Sequence, residues 1–544
     1  MEARTAARAD LVIVGGRVWT ANPGAPWAEA VAVLNDRIAA VGPRAEIEAL
    51  ADAETRVIDA SGGLVTPGFI DAHVHFVAGG ERLASVQLRD AATPAEFIRR
   101  IGEFAGTVPP GTWIDGGDWD HTLWGGELPR RDWIDSVTPR HPVFVSRLDG
   151  HMGLANSLAL ALAGIDASTP DVEGGEIVRH PDGRPTGVLK DNADGAMWRA
   201  MPAGTGERLD RALDAAMRYV VERGVTSVHH MGSWGDLAVF ERARKTGSLV
   251  TRINACVPLE SWRRLRNRVE EAGRGDEWLR IGCLKGFVDG SLGSHTAAML
   301  EPFSDAPADT GLLVNDPADM EAWIAAADAA GLQTNVHAIG DRANRLLLDI
   351  YERTIAANGP GDRRFRIEHA QHLHPDDVSR FAGLGVIASM QPYHAIDDGR
   401  WAEKVIGPER ARLTYAFGSL LAAGARLAFG SDWFVAPPTP LEGIYAAVTR
   451  RTLDGANPGG WQPQEKITVE QALVAYTRDA AYASFEEDRK GSIEPGKLAD
   501  LVVIDRDITA IPPVEIRDAG IRATIIGGRI VHEADGDAPS ADRM

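Results

Sequence analysis

The sequence predicts an α/β chain: a (β/α)8 TIM-like barrel, with a small β-sandwich domain formed by both chain ends and a long insertion after the first barrel strand. Three observations predict it. Eight strand-like runs, beginning with GFIDAHVHF and ending with RLAFGSD, alternate with helical segments once the long connection is passed, which is the count of such a barrel. The two chain ends repeat one pattern, an apolar strand followed by Gly-Gly-Arg, in Asp10–Val18 and Ala523–Ile530. The connection from His75 to Val225 is about 150 residues, too long for an ordinary βα loop, so it must carry structure of its own.

Taken in order, residues 1–66 read as short strands punctuated by Gly-Gly and Asn-Asp, the first part of the sandwich. Residues 67–79 hold the first barrel strand and 80–210 the insertion, a lid or pocket module rich in Trp113, Trp119, Trp124, Trp133 and Trp198. Residues 211–489 supply the rest of the barrel through VTSVHHM, VTRINACV, IGCLKGFVD, LQTNVHAIG, RFRIEHAQ, VIASMQP and RLAFGSD. Residues 490–544 return to complete the sandwich, with Ala499–Ile504 as a further strand. The alternative, an open doubly wound sheet, is disfavoured because no Gly-rich nucleotide turn follows the first strand.

The 544 residues are too many for one ordinary core, and 44% hydrophobic with 25% charged residues is a globular composition. No apolar run approaches the roughly 20 residues that span a bilayer. The start, MEARTAARADLVIVGG, lacks the apolar stretch and cleavage site of a secretory signal, so a cytoplasmic location is expected. Cys256 and Cys283 cannot form a disulfide framework and are expected to be buried free thiols in a reducing compartment. A formal charge of −20 without a basic stripe excludes nucleic acid and anionic membrane as partners and leaves a small-molecule substrate. A homodimer is among the assemblies that the sequence allows.

The chemistry concentrates at strand ends. His73 and His75 lie two apart, so on a strand both imidazoles share one face and suit a divalent, zinc-like metal. His337, His369 and Asp432 each end a later strand, where a barrel of this kind places its active residues. For any one of them a buried structural histidine or a helix-capping aspartate accounts for the residue; all of them in strand order do not fit that account. Lys285 stands in the apolar run of the fourth strand, where burying an unpaired ammonium is costly. It is either paired with a carboxylate such as Asp289 or deprotonated, or it is carbamylated and bridges two metals about 3.5 to 4 Å apart.

These motifs resemble the amidohydrolase superfamily, and its third family in particular, which includes N-substituted formamide deformylases. The resemblance rests on GFIDAHVHF, KGFVDGSLGS, NVHAIGDRA, RIEHAQ, GSDW and GKLADLVVID, with SRLDGHMGLANSLAL and GGEIVRHPDGRPTGVLKDNA in the insertion, and so covers nearly the whole chain. It implies His73 and His75 as ligands of the more buried metal, and carbamylated Lys285 as a bridge. It implies His337 and His369 on a second metal, and Asp432 as a ligand and general base. The divalent metal is expected to be zinc, as one or two ions, with manganese, iron or cobalt compatible with the same donors. A metal brings its water towards a pKa of ~7, a neighbouring carboxylate takes the proton, and Asp432 returns it to the leaving amine. Where the superfamily's deaminases carry a glutamate three residues after the fifth-strand histidine, this chain has Gly340, which cannot move a proton. The expected reaction is therefore hydrolysis of an amide, N-formyl, carbamate or cyclic amide C–N bond, with an ester or lactone, or a noncatalytic scaffold on the same fold, as the alternatives.

Around this set, His151 from the insertion, Gln391, Tyr393 and Trp433 are candidate substrate-binding residues, with His394 near the same mouth. Asp289 is a candidate support for Lys285 or a ligand. His229 and His230 read as structural. The insertion's tryptophans suggest a bulky, aromatic substrate.

Overall fold

A computed structural model describes residues 8–202 and 204–534. Residues 1–7 and 535–544, at the outer ends of the expected sandwich segments, and residue 203 of the expected insertion lie outside the described residues. The core is an eight-stranded parallel sheet in chain order: β1 (Phe69–Val74), β2 (Val225–Met231), β3 (Arg252–Pro258), β4 (Leu279–Phe287), β5 (Gln333–Ala338), β6 (Arg366–His369), β7 (Ile387–Met390) and β8 (Arg426–Phe429). β2 and β5 are buried along their whole length, as strands covered on both faces should be. The ring closes just past β8, where the Asp432 amide donates to the His73 carbonyl at 2.7 Å and the His75 amide to the Trp433 carbonyl at 2.6 Å. Closure therefore fixes the segment after β8 against the two histidines that end β1.

The helices between the strands start where short polar residues can cap them. Ser233 and Asp236 form a reciprocal capping box on Trp234–Thr246, and Thr205 caps Gly206–Val221. Both helices present Leu, Val, Met and Phe to the barrel, and their buried residues join the main hydrophobic core.

The chain ends contribute two sheets. Leu11–Val14, Ala30–Leu34, Arg37–Gly42 and Arg56–Asp59 form one; in the other, Leu64–Pro67 pairs antiparallel with Leu501–Ile504, so that the two ends of the chain share a ladder. Ile13 and Val33 of the first sheet and Val65, Leu501 and Ile525 of the second belong to one hydrophobic cluster. Asp500 ties the second sheet to the barrel by accepting from Arg252 of β3 at 2.7 and 2.9 Å, a two-pronged pair buried at both ends.

Between β1 and β2 the insertion builds a six-stranded sheet in the order 175–179, 185–191, 152–155, 143–147, 114–119, 86–87. Its tryptophans pack the insertion itself: Trp119 is fully buried and donates to the Val145 carbonyl, Trp124 and Trp133 join the same cluster, and Trp113 joins a second. Trp198 packs edge-on against Phe144. The aromatic substrate pocket expected from them is thus not made by these residues, because a module this size needs its own apolar core.

The expectation of free thiols is also corrected. Cys256 of β3 and Cys283 of β4 are register partners on adjacent strands, their Cα atoms are 4.5 Å apart, and they form a disulfide. Parallel pairing makes this contact across a separation of 27 residues, and with it the thiols no longer argue for a reducing compartment. Among the described residues no helix is long and apolar enough to cross a membrane.

Candidate metal centre

The strand ends bring together His73, His75, Lys285, His337, His369 and Asp432, with His394 added from the segment after β7. His73 Nε2 and His75 Nε2 lie 3.3 and 3.2 Å from Asp432 Oδ1, and Lys285 Nζ lies 3.3 Å from His73 Nε2. His337 packs against His369 with ring centroids 4.5 Å apart, and His369 against His73 at 5.0 Å. Two groups have ligand atoms all within 4.8 Å of one another, His73–His75–Asp432 and His369–His394–Asp432, and share the aspartate.

Neighbouring residues set the ring orientations. His73 Nδ1 lies 2.6 Å from Glu368 Oε2, so its N–H donates there and Nε2 is left as a lone pair. Gln391, expected to touch substrate, instead accepts from His369 Nδ1 at 2.8 Å and leaves that ring's Nε2 unprotonated. His337 Nε2 donates to the Gly290 carbonyl at 3.0 Å, which leaves Nδ1 as its free nitrogen. Burial holds His73, His337 and His369 well below the usual imidazole range, so all three are neutral, as ligands must be. Burial alone would raise Asp432, but its neighbours, His75 at 3.2 Å among them, hold the carboxyl well below the usual carboxylate range.

Alternation along a strand explains part of this geometry. On β4, Cys283, Lys285 and Phe287 share the inward face, which puts the lysine above the disulfide. Burial lowers Lys285 to about 8, against the opposing pull of Glu368 and Asp432. Asp289 is not its partner: that carboxylate accepts from the amides of Ile339, Gly340 and Ala298 at 3.0, 2.8 and 2.8 Å and holds the chain beside His337. On β6, Arg366 and Glu368 face inward, so simple alternation would turn His369 away. Its φ of 74°, in the left-handed region, turns it back. Asp432 is re-aimed in the same way, at φ 60°.

The other candidates divide. His151 reaches the site from the turn before Met152–Ala155, 5.0 Å ring to ring from His337. Burial would lower it, but the Asp191 carboxylate at 2.6 Å prevails and raises it to about 9. Tyr393 is half-buried and packs against the core. Trp433 turns outward and stacks on Tyr219 with centroids 5.2 Å apart, in place of the expected substrate contact. The next residue, Phe434, is the aromatic that meets His75, at 5.7 Å. His230 Nδ1 accepts from the Phe76 amide, and His229 Nδ1 lies 2.9 Å from Arg366 Nη1.

The donor set fits a divalent cation. Asp432 Oδ1 is buried without a hydrogen bond, and His73 Nε2, which has no proton and meets only Lys285 Nζ at 3.3 Å, presents a lone pair to it. Converging lone pairs on a buried carboxylate repel unless a cation stands among them.

The profile described as "Amidohydrolase family" matches residues 56–532. The chain is 40% identical over 534 residues to Protein LONG AFTER FAR-RED 3 of Arabidopsis thaliana, covering 96% of this chain and 91% of that one. It is 30% identical to N-substituted formamide deformylase of Arthrobacter pascens, covering 97% and 99%. A solved metal-dependent hydrolase from Pyrococcus horikoshii OT3 superposes with a TM-score of 0.74 at 27% identity, over 92% of this chain and 99% of that one.

Proposed function

The chain belongs to the amidohydrolase family, and from that premise we propose that it hydrolyses a C–N bond of a small molecule, an amide, N-formyl, carbamate or cyclic amide, with a divalent metal. The observation that carries this reading is the buried, hydrogen-bond-free Asp432 Oδ1 facing the unprotonated Nε2 of His73. His73, His75 and Asp432 would hold an ion, with Lys285 beside them. When bound, it supplies Lewis acidity, making water more acidic and a carbonyl more electrophilic. Asp432, ionised and at the barrel mouth, accepts the proton of the attacking water and hands it to the leaving nitrogen. Glu368 keeps His73 in one tautomer throughout. His151, fixed by Asp191, donates a hydrogen bond towards the substrate carbonyl side, and Phe434 screens the His75 edge from water. Gly340 leaves no carboxylate where ring deamination would need one.

Carbon dioxide adding to the neutral Lys285 amine would form an N–C bond and release one proton, and the resulting carbamate would be a further anionic ligand. Carbon-13 bicarbonate NMR should then show one protein-bound carbamate that Lys285→Ala removes.

The central test is a screen of N-acyl, N-formyl and carbamate compounds, beside matched esters, with metal-reconstituted protein. Turnover of amides, lost on chelation and in Asp432→Asn, is expected. Unchanged turnover in both conditions, or preference for the esters, would overturn the reading.

A further inference from the structure

His394 belongs to no strand end, yet it joins the same group of donors. It sits in the short helix Pro392–Asp398, three residues beyond Gln391, the residue that orients His369. One tight segment after β7 therefore carries both the support of His369 and a further imidazole. The ring lies beside the Ser431 main chain, next to Asp432, and its Nε2 is buried and has no hydrogen-bond partner. A buried imidazole nitrogen without a partner is poorly tolerated unless something meets it, and a lone pair there suits a cation.

The direction of that lone pair is informative. His369, whose Nδ1 is engaged by Gln391, and Asp432, whose Oδ1 is without a hydrogen bond, offer ligand atoms within 4.8 Å of each other and of His394. The rings of His369 and His394 are nearly parallel, with an 11° interplanar angle and 6.4 Å between centroids. Of the three, His369 is held in place by Gln391, as an oriented ligand is.

We infer that His394 is a metal ligand, joining His369 and Asp432 around a second ion, with Asp432 shared between that ion and the one held by His73 and His75. This rests on the metal-dependent reading of the site. It makes the segment Gln391–His394 a metal-binding element in its own right: Gln391 orients one ligand, and His394 is another.

The test uses the full-length protein, His394→Ala and His394→Gln, each loaded with zinc or cobalt and dialysed. Metal per chain is measured by plasma mass spectrometry, with circular dichroism as the control for folding. Wild type is expected to retain two ions and each variant one, with weaker visible cobalt bands. Variants that keep both ions, with affinities within about twofold of wild type, would overturn the assignment. Should neither variant fold, anomalous diffraction from zinc-loaded wild-type crystals decides: an ion about 2.0–2.1 Å from His394 Nε2 supports it. An ion at His369 that leaves His394 free, or a single ion at His73 and His75, refutes it. Wild type that holds no metal at all refutes the metal-dependent reading beneath it, a separable result.

Discussion

Glu368 offers the sharpest single perturbation, because its carboxylate connects the metal site to the barrel interior. One oxygen accepts from His73 Nδ1 at 2.6 Å and also from Arg366 Nη2 at 3.1 Å, in a fully buried cluster. Glu368→Gln preserves size and leaves an acceptor for the His73 N–H, but removes the negative charge that makes His73 Nε2 basic and balances Arg366. Such supporting partners of a metal-bound histidine are worth about 10- to 100-fold in metal affinity, or roughly 1.4 to 2.7 kcal/mol. Breaking a buried ion pair costs about 3–5 kcal/mol of stability; here Arg366 retains the Ala72 carbonyl at 2.6 Å and the Ser389 hydroxyl at 2.8 Å, so the lower end is expected. Metal affinity is read by competition with a chromophoric chelator and stability by urea unfolding of the metal-free protein. The separation of the two readouts matters: a variant with weakened folding but wild-type metal affinity would show that Glu368 only neutralises Arg366, and would refute its role in preparing His73.

Gln391→Leu leaves the buried His369 Nδ1–H without an acceptor; a loss of about 1–3 kcal/mol in unfolding free energy is expected, together with weaker metal binding, whereas Gln391→Glu should retain both. Asp149 is held at about 2: burial opposes its ionisation, but Arg147, His151 and hydrogen bonds from Ser291 and Ser294 prevail. Because its folded pKa is depressed, its contribution of about 2 kcal/mol is present above the unfolded value near 3.8 and lost as pH falls through 2. The stability gap between wild type and Asp149→Asn should accordingly close over that window, and a gap independent of pH would contradict the pairing. For the Cys256–Cys283 disulfide, thiol titration of the unfolded, unreduced chain should find no free thiol, and reduction should lower stability by about 3–4 kcal/mol, as the 27-residue separation implies. Two free thiols before reduction would contradict it.

What the sequence disclosed and what it hid follow from how each feature is encoded. Barrel strands are near-continuous apolar runs because they are buried on both faces, so their order, and the His73–His75 pair at the end of the first, can be read directly. The insertion announced itself by length alone, and its tryptophans misled because composition does not say which core a residue fills. Trp433 misled for a related reason: adjacency to Asp432 in sequence says nothing of direction once the chain passes through a left-handed residue, and Phe434 takes the inner position. The same limit hid Glu368. Period-2 reasoning allows only one of Glu368 and His369 to face inward, and the backbone at His369 evades that choice, so both do. The disulfide required a register that only pairing of β3 with β4 reveals. His394 was visible near the mouth, but its significance lies in an absence, a buried nitrogen with nothing to bond, which is a property of three-dimensional packing that no spacing in the chain can express. Supports and orphans are therefore where a structure adds most to this family's strand-end motifs, and the cost of altering them should appear in metal affinity before it appears in the fold.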